Sequence, residues 1–304
     1  PQMRKYGYKD TLASASIAAG GTLGILIPPS VMLVIYGILT ETSIRELFAA
    51  GFIPGILGIV LYLVAVKWVM WRDPDAGPAG EKIEWPERLK ALKSVGDTLA
   101  LFVLVIGGIY LGVFTPTEAA GIGAMGAFVI ALWRRALTPQ ILMNVLMDTV
   151  RTTAMLFAVV LTALIFANFI NRAGLPSDLL AFVNGLDMAP FLVILVILAI
   201  YVLLGCVFES MSMLLLTVPV FFPVVAGLGF DLVWFGILVV IVIEISLITP
   251  PVGMNVFVLR AVLPDVSTGT IFRGVTPFWV AGMARALLVL VFPGIVLFLP
   301  QLLY

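Results

Sequence analysis

The sequence predicts an all-α polytopic membrane protein: an inverted repeat built around two broken helices, with a re-entrant hairpin beside the second. Three observations carry this reading. Apolar residues make up 62% of the 304 and charged residues 11%, mean hydropathy is +1.18, and apolar runs reach the ~20 residues that a membrane-spanning helix needs. Two of those runs are interrupted by paired prolines, Pro28-Pro29 and Pro250-Pro251. The interruptions also recur in register: Gly24-x-x-x-Pro28-Pro29 matches Ser246-x-x-x-Pro250-Pro251 at an offset of 222 residues (250 minus 28). A second echo, Gly51-Phe52-Ile53-Pro54 against Gly274-Val275-Thr276-Pro277, has an offset of 223 (274 minus 51).

Paired prolines remove two backbone donors, so an ideal helix through Pro250-Pro251 leaves the carbonyls of Ser246 and Leu247 without their usual partners. Lipid cannot satisfy them. Free carbonyls at membrane depth are tolerated where protein or a water-filled cavity surrounds them, and there they make ligands for a small cation. A proline kink and nothing more is the alternative. Two breaks in corresponding positions of two halves point instead to the binding site of a transporter.

The chain opens on a basic stretch with Arg4, Lys5 and Lys9, and Thr11 to Leu39 forms a first span broken at Pro28-Pro29. A second span, about Leu47 to Trp71, ends in Lys67, Trp68, Trp71 and Arg72. Asp73 to Lys93 is the main polar excursion, and the mixed charge of Glu84 to Lys93 at helical spacing predicts a surface-lying helix. Span three covers about Leu99 to Val113. Thr115-Pro116-Thr117-Glu118 then opens span four as an N-cap, a proline at the first helical position and an acid in the first turn. Ile141 to Arg151 is amphipathic and leads into span five, Thr152 to Ile170. After a polar loop come two apolar arms, about Phe191 to Leu204 and Leu214 to Val225, then the broken helix within Leu232 to Leu263 and a last span from Val275 to Leu299.

Placing Pro1 inside puts Arg4, Lys5, Lys9, Lys67, Arg72, Lys82, Arg88, Lys90, Lys93, Arg134, Arg135, Arg151, Arg260 and Arg273 on the cytoplasmic side and leaves Arg45 and Arg172 outside. The first broken helix then runs outward and the second inward, as an inverted repeat demands. The two arms before the second break number about 12 to 14 core residues and their connection carries no Lys or Arg. They are therefore expected to form one hairpin whose tip, with Glu209, Ser210 and Ser212, faces the second break.

An ionised carboxylate at the centre of a membrane helix costs on the order of 2.5–3.5 kcal/mol, so Glu209 and Glu244 call for a reason. Each is either an ion site, or its electrostatic support, or a bystander: Glu209 in a hydrated vestibule, Glu244 capping or pairing locally. Arg285 in the last span reads as an anchor or a carbonyl partner. Histidine is absent and Cys206 stands alone, which excludes histidine triads, histidine proton relays and thiolate metal clusters. Cys206 is read as a small apolar filler. Hydroxyls and carbonyls without histidine suit a hard, weakly held cation such as sodium. A formal charge of +0 implies no nucleic-acid partner.

Gly21-Thr22-Leu23-Gly24-Ile25-Leu26-Ile27-Pro28-Pro29-Ser30, Phe114-Thr115-Pro116-Thr117-Glu118-Ala119-Ala120 and Leu247-Ile248-Thr249-Pro250-Pro251-Val252-Gly253-Met254-Asn255 together resemble the large membrane subunit (DctM-like) of tripartite ATP-independent periplasmic (TRAP) transporters. Pro1 to Tyr8 resembles the segment that follows that family's first hairpin, so that hairpin and what precedes it are expected to lie outside this sequence. The resemblance implies an elevator-type, sodium-coupled importer of organic acids. Its partners would be a small DctQ-like membrane subunit and a periplasmic DctP-like binding protein, in a bacterial or archaeal cytoplasmic membrane. It implies no enzymatic activity and no cofactor, with sodium as the coupling ion. Sodium would sit at Gly21, Thr22, Gly24 and Ser30, and at Ser210, Ser212, Thr249, Gly253 and Asn255. Glu209, Glu244, Pro28, Pro29, Pro250 and Pro251 would support ion or substrate. The implied division is 1–43 for the first broken helix, 44–114 for scaffold helices with the surface helix, and 115–175 for scaffold and arm helices. Residues 176–264 would be the hairpin and second broken helix, and 265–304 a C-terminal scaffold helix. A stand-alone anion transporter of similar repeat architecture is the second reading. An intramembrane hydrolase is the third, which no histidine, metal motif or paired aspartates support.

Overall fold

A computed structural model describes residues 2–78, 80, 84–186 and 188–304. Pro1 and Lys82, counted above in the orientation, lie outside the described residues. Among those residues every regular element is helical. Among the described residues six helices or broken helices are long and apolar enough to cross a bilayer: Asp10–Thr40, Ile44–Arg72, Pro116–Trp133, Pro139–Arg172, Ser210–Gly227 and Thr268–Val291. The protein is a multi-pass membrane protein.

The helices divide into two compact units, residues 1–80 with 166–304 and residues 81–165. In chain order the first unit starts with α1 (Gln2–Lys5), α2 (Asp10–Leu26), α3 (Val31–Thr40) and α4 (Ile44–Arg72). The second holds α5 (Trp85–Ser94), α6 (Gly96–Tyr110), α7 (Pro116–Trp133) and most of α8 (Pro139–Arg172). The first unit resumes with the end of α8 and continues through α9 (Leu175–Gly185), α10 (Pro190–Gly205), α11 (Ser210–Gly227), α12 (Leu232–Ser246), α13 (Met254–Val262), α14 (Thr268–Val291) and α15 (Gly294–Leu303).

Both paired prolines end a helix: α2 stops before Ile27 and α12 before Leu247, and each chain resumes as a shorter helix, α3 or α13. The Pro28-Pro29 and Pro250-Pro251 bonds are both cis. The element order after each break is the same, since Pro54 lies inside α4 and Pro277 inside α14. α2, α4, α12 and α14 pack together, and the glycines of the sequence echo explain how closely. A Cβ at Gly51 would sit 3.0 Å from the Leu26 carbonyl oxygen, and one at Gly274 would overlap the Thr11 carbonyl. Small residues let membrane helices approach backbone to backbone. α12 is enclosed, with every residue from Val233 to Ser246 buried.

Polar contacts fix the directions of the two broken helices. Arg4 bonds Asp10 and Asp265, each at 2.6 Å, and Lys9 bonds Asp73 at 2.6 Å. These pairs gather the start of α2, the end of α4 and the loop after α13 at one face. At the other end, the Tyr36 hydroxyl donates to the Leu232 carbonyl at 2.7 Å. The path α2–α3 therefore leaves the face toward which α12–α13 returns.

In the second unit α5 is exposed from Trp85 to Lys93, and Arg134 bonds Asp97 at 2.9 Å. Thr115 and Glu118 form the capping box that opens α7: Glu118 Oε2 accepts from the Thr115 amide at 2.8 Å and Thr115 Oγ1 from the Glu118 amide at 3.3 Å.

Several boundaries differ from the sequence reading. Ile141–Arg151 runs on into Thr152–Ile170 as read, within one helix, α8, that starts at Pro139 and ends at Arg172. α9 stands where a polar loop was expected; Pro176 and Asp178 serve its first turn. The last span is two helices, since Pro293 removes a donor after Phe292. Within residues 44–114, α4 belongs to the first unit and α6 to the second, and α14 and α15 pack in the first unit. Hydropathy gives each of these helices the same apolar character; the close-approach glycines of α4 and α14 decide the partners.

Candidate functional site

The second break is a compact turn. The Ile248 amide donates to Ile245 O at 3.2 Å, the Thr249 amide to Ser246 O at 3.0 Å, and the Asn255 amide to Leu247 O at 3.1 Å. The carbonyls of Ser246 and Leu247, expected to be free, thus each hold one protein donor: the chain tightens at the end of α12 and α13 starts back beside it. A carbonyl has two lone pairs, so each retains one site. Gly253, at φ 57, opens α13, and a Cβ there would come within 3.2 Å of Thr249 O and Phe272.

Side chains cross-brace this turn. Thr249 donates to Ile245 O at 2.7 Å and accepts from the Trp279 indole on α14 at 2.9 Å. The Asn255 amide nitrogen donates to Ala18 O on α2 at 3.2 Å, and Ser246 donates to Ile243 O at 2.7 Å.

The turn between α10 and α11 lies against the break. A Cβ at Gly205 would overlap the Ser246 side chain, and Cys206 Sγ lies 3.6 Å from Pro250 O. The hydroxyl-bearing tip differs from the expected one. α11 begins at Ser210 and not near Leu214, because Glu209 caps it, accepting from the amides of Met211 and Ser212 at 3.0 and 3.1 Å. The arms are consequently 16 and 18 residues long, and Ser210 and Ser212 occupy the first turn of α11. Glu209 is exposed and serves this N-terminus.

The first break is simpler. Ser30 caps α3, accepting from the Leu33 amide at 3.3 Å and donating to Ile25 O. Gly21 and Gly24 lie on an open face of α2, where an added Cβ would meet nothing within 4 Å. Thr22 is on the opposite, fully buried side of the helix and donates to Ala19 O at 2.8 Å. Thr22 is therefore not beside Gly21 and Gly24.

Glu244 pairs with a residue that sequence distance hid. Arg285 donates through Nη2 to Glu244 Oε2, and both side chains have 0% exposure. This is a carboxylate partner for Arg285 and a distant one for Glu244. Unlike charges in two apolar spans were the signal that could have matched them. Trp279, the indole donor at the break, was not anticipated.

Comparison with known proteins identifies the family. The family model described as "Tripartite ATP-independent periplasmic transporter, DctM component" matches residues 1–295. The chain belongs to the DctM family. It is 34% identical over 300 residues to the C4-dicarboxylate TRAP transporter large permease protein DctM of Pseudomonas aeruginosa, covering 98% of this chain and 70% of that one. It is 36% identical over 301 residues to the sialic acid TRAP transporter large permease protein SiaM of Vibrio cholerae, covering 99% and 70%. Against the ectoine/5-hydroxyectoine TRAP transporter large permease protein UehC of Ruegeria pomeroyi it is 34% identical over 309 residues, again 99% and 70%. These DctM-type relatives are permease components of transporters, and their names span three kinds of solute. Within this DctM-family chain, the α10–α11 turn and the second break bring Gly205, Cys206, Ser246, Pro250, Thr249 and Trp279 into one contact network.

Proposed function

We propose that this chain is the permeation component of a sodium-coupled, binding-protein-dependent importer of organic acids, acting in a bacterial or archaeal cytoplasmic membrane. The observation that supports this most directly is the contact between the α10–α11 turn and the second break, where hydroxyls and helix-end carbonyls converge inside an apolar unit. Neutral oxygens hold sodium weakly, which suits a coupling ion that must also leave. The candidate ligands are Thr249, Gly253 and Asn255 with Ser210 and Ser212, and, at the first break, Gly21, Gly24 and Ser30 with Thr22 behind them.

The shared element order after each break, and the opposite directions of the two broken helices, support an inverted repeat. In that reading α10 and α11 form a re-entrant hairpin, and the unit carrying both breaks moves as the elevator. Partners are a small DctQ-like membrane subunit and a periplasmic DctP-like binding protein. Dicarboxylates, sialic acid and ectoine all carry a carboxylate, and this supports an organic acid as solute.

Uptake into proteoliposomes that hold the chain with its two partners tests the coupling. Thr249→Ala is expected to raise the half-saturating sodium concentration several-fold while membrane insertion is unchanged. Uptake driven by a pH gradient in sodium-free vesicles, and indifferent to Thr249→Ala, overturns the sodium assignment.

A further inference from the structure

Among the polar side chains buried by the four helices packed together in the first unit are Thr22 on α2, Tyr62 on α4, Glu244 on α12 and Arg285 on α14. They stand in two pairs. The Thr22 hydroxyl lies close to the Tyr62 hydroxyl, and Arg285 bonds Glu244. The offsets that superpose the two breaks and the two following prolines superpose these pairs as well. An offset of 222 residues carries Thr22 to Glu244, and one of 223 carries Tyr62 to Arg285. The hydroxyl pair is thus the neutral counterpart, in the first half of the chain, of the charged pair in the second.

The packing between α4 and α14 brings these side chains together. The Arg285 guanidinium fills the space where a Cβ at Gly58 would stand, and a Cβ at Gly282 would lie 3.8 Å from the Tyr62 hydroxyl. Gly58 is thus required by the Arg285 arm, whereas the Tyr62 hydroxyl is at ordinary contact distance from position 282.

The pairs leave polar atoms unused. The Tyr62 hydroxyl, Glu244 Oε1, and Arg285 Nε and Nη1 are buried and have no hydrogen-bond partner of normal geometry among the described residues, although the Leu26 backbone lies near the Glu244 carboxylate. Buried polar atoms are ordinarily bonded to protein or to ordered water. This set contains donors, an acceptor, and a hydroxyl able to be either. Its net charge is zero, because the carboxylate and guanidinium cancel and the hydroxyls are neutral. An added ion would bring uncompensated charge into an apolar interior. Water would accept from Arg285 and Tyr62 and donate to Glu244.

We propose that Thr22, Tyr62, Glu244 and Arg285 enclose a water-binding site made from two repeat-related side-chain pairs, and that bound water joins the pairs into one network between α4 and α14. Thr22 is shared with the candidate sodium ligands, but the site itself needs no ion, so solvent at the four unused atoms and the sodium dependence of uptake can fail separately.

Two measurements test it. A structure of the complete transporter at a resolution that shows ordered solvent is expected to place at least one water within hydrogen-bond reach of two or more of the four unused atoms. Those atoms bonded directly to protein with no solvent density between them, or density with the coordination of an ion, overturn it. The second is a double-mutant cycle in thermal unfolding of the purified complex. Tyr62 and Glu244 share no direct hydrogen bond but both interact with Arg285, so the cycle of Tyr62→Phe with Glu244→Gln is repeated in an Arg285→Met background, where the coupling that remains is the part carried by water. The expected melting shift of the double variant is smaller than the sum of the single shifts by a few degrees. Strict additivity overturns the network, and Glu244→Asp replaces Glu244→Gln where the latter does not fold.

Discussion

The Trp279 indole donates to the Thr249 hydroxyl across 2.9 Å, tying α14 to the second helix break. Thr249 directs its own proton to Ile245 O at 2.7 Å, so the indole occupies a lone pair of the same oxygen that is proposed to meet sodium. Trp279 is therefore a positioning residue for Thr249.

Trp279→Phe keeps the ring volume nearest the break and removes the donor, a change of about 1 kcal/mol for one neutral hydrogen bond. Half-saturating sodium for uptake is expected to move by about fivefold, since 1.4 kcal/mol corresponds to a factor of ten. An unchanged sodium dependence, with uptake lowered only through protein amount, would show that the indole serves folding alone.

The Glu244–Arg285 pair makes a prediction about stability. Both side chains have 0% exposure, and removing one member of a buried ion pair strands the other, at about 3–5 kcal/mol. Replacing both with apolar residues of similar length strands neither. Glu244→Gln and Arg285→Met are each expected to lower the melting temperature more than Glu244→Leu/Arg285→Met does. A double variant less stable than either single variant would mean that the pair is worth more than its desolvation.

How much of this was legible beforehand follows from the range of each interaction. The breaks at Pro28-Pro29 and Pro250-Pro251 were readable because proline acts within one helical turn, and the Thr115–Glu118 capping box for the same reason. The α10–α11 turn facing the second break followed from the missing basic residues at its tip. The break at Pro293 was masked because apolar residues flank it on both sides. The partners of the Ser246 and Leu247 carbonyls were not readable. They depend on how tightly the chain turns before α13, which the backbone at Gly253 sets. Glu209 declared a carboxylate in an apolar stretch, yet its role as the N-cap of α11 needed the position of the helix start. The grouping of α4 with α2, α12 and α14 lay in Gly51, Gly58, Gly274 and Gly282, whose meaning emerges only when two helices meet.

At the face that gathers α2, α4 and the α13–α14 loop, Arg4 holds the Asp265 carboxyl below the usual carboxylate range through a direct hydrogen bond. A carboxyl lowered in the folded state contributes stability above its unfolded value of about 3.9, and the contribution is lost as pH falls through the lower folded value. Amide hydrogen exchange in residues 2–9 is therefore expected to be equally protected from pH 8 down to pH 5. Arg4→Gln should raise exchange there at neutral pH by releasing α1 from Asp265. Protection that fades between pH 8 and pH 5 in the unmodified chain would show that something other than this carboxylate holds α1.

The contact between Gly205 and Ser246 is steric and can be inverted. A Cβ at position 205 would overlap both the Cβ and the hydroxyl of Ser246, so Gly205→Ala forces the α10–α11 turn away from the break or strains it, at about 1–3 kcal/mol for overpacking. Gly24→Ala is the control, because a Cβ there meets nothing within 4 Å. Uptake and melting temperature are expected to fall in Gly205→Ala and to hold in Gly24→Ala for stability. Ser246→Gly restores the space from the other side, so Gly205→Ala/Ser246→Gly should recover most of the lost melting temperature. Ser246→Ala should recover less, since its Cβ remains in the contact. A double variant no better than Gly205→Ala alone would show that position 205 matters for the end of α10 and not for its fit against the break.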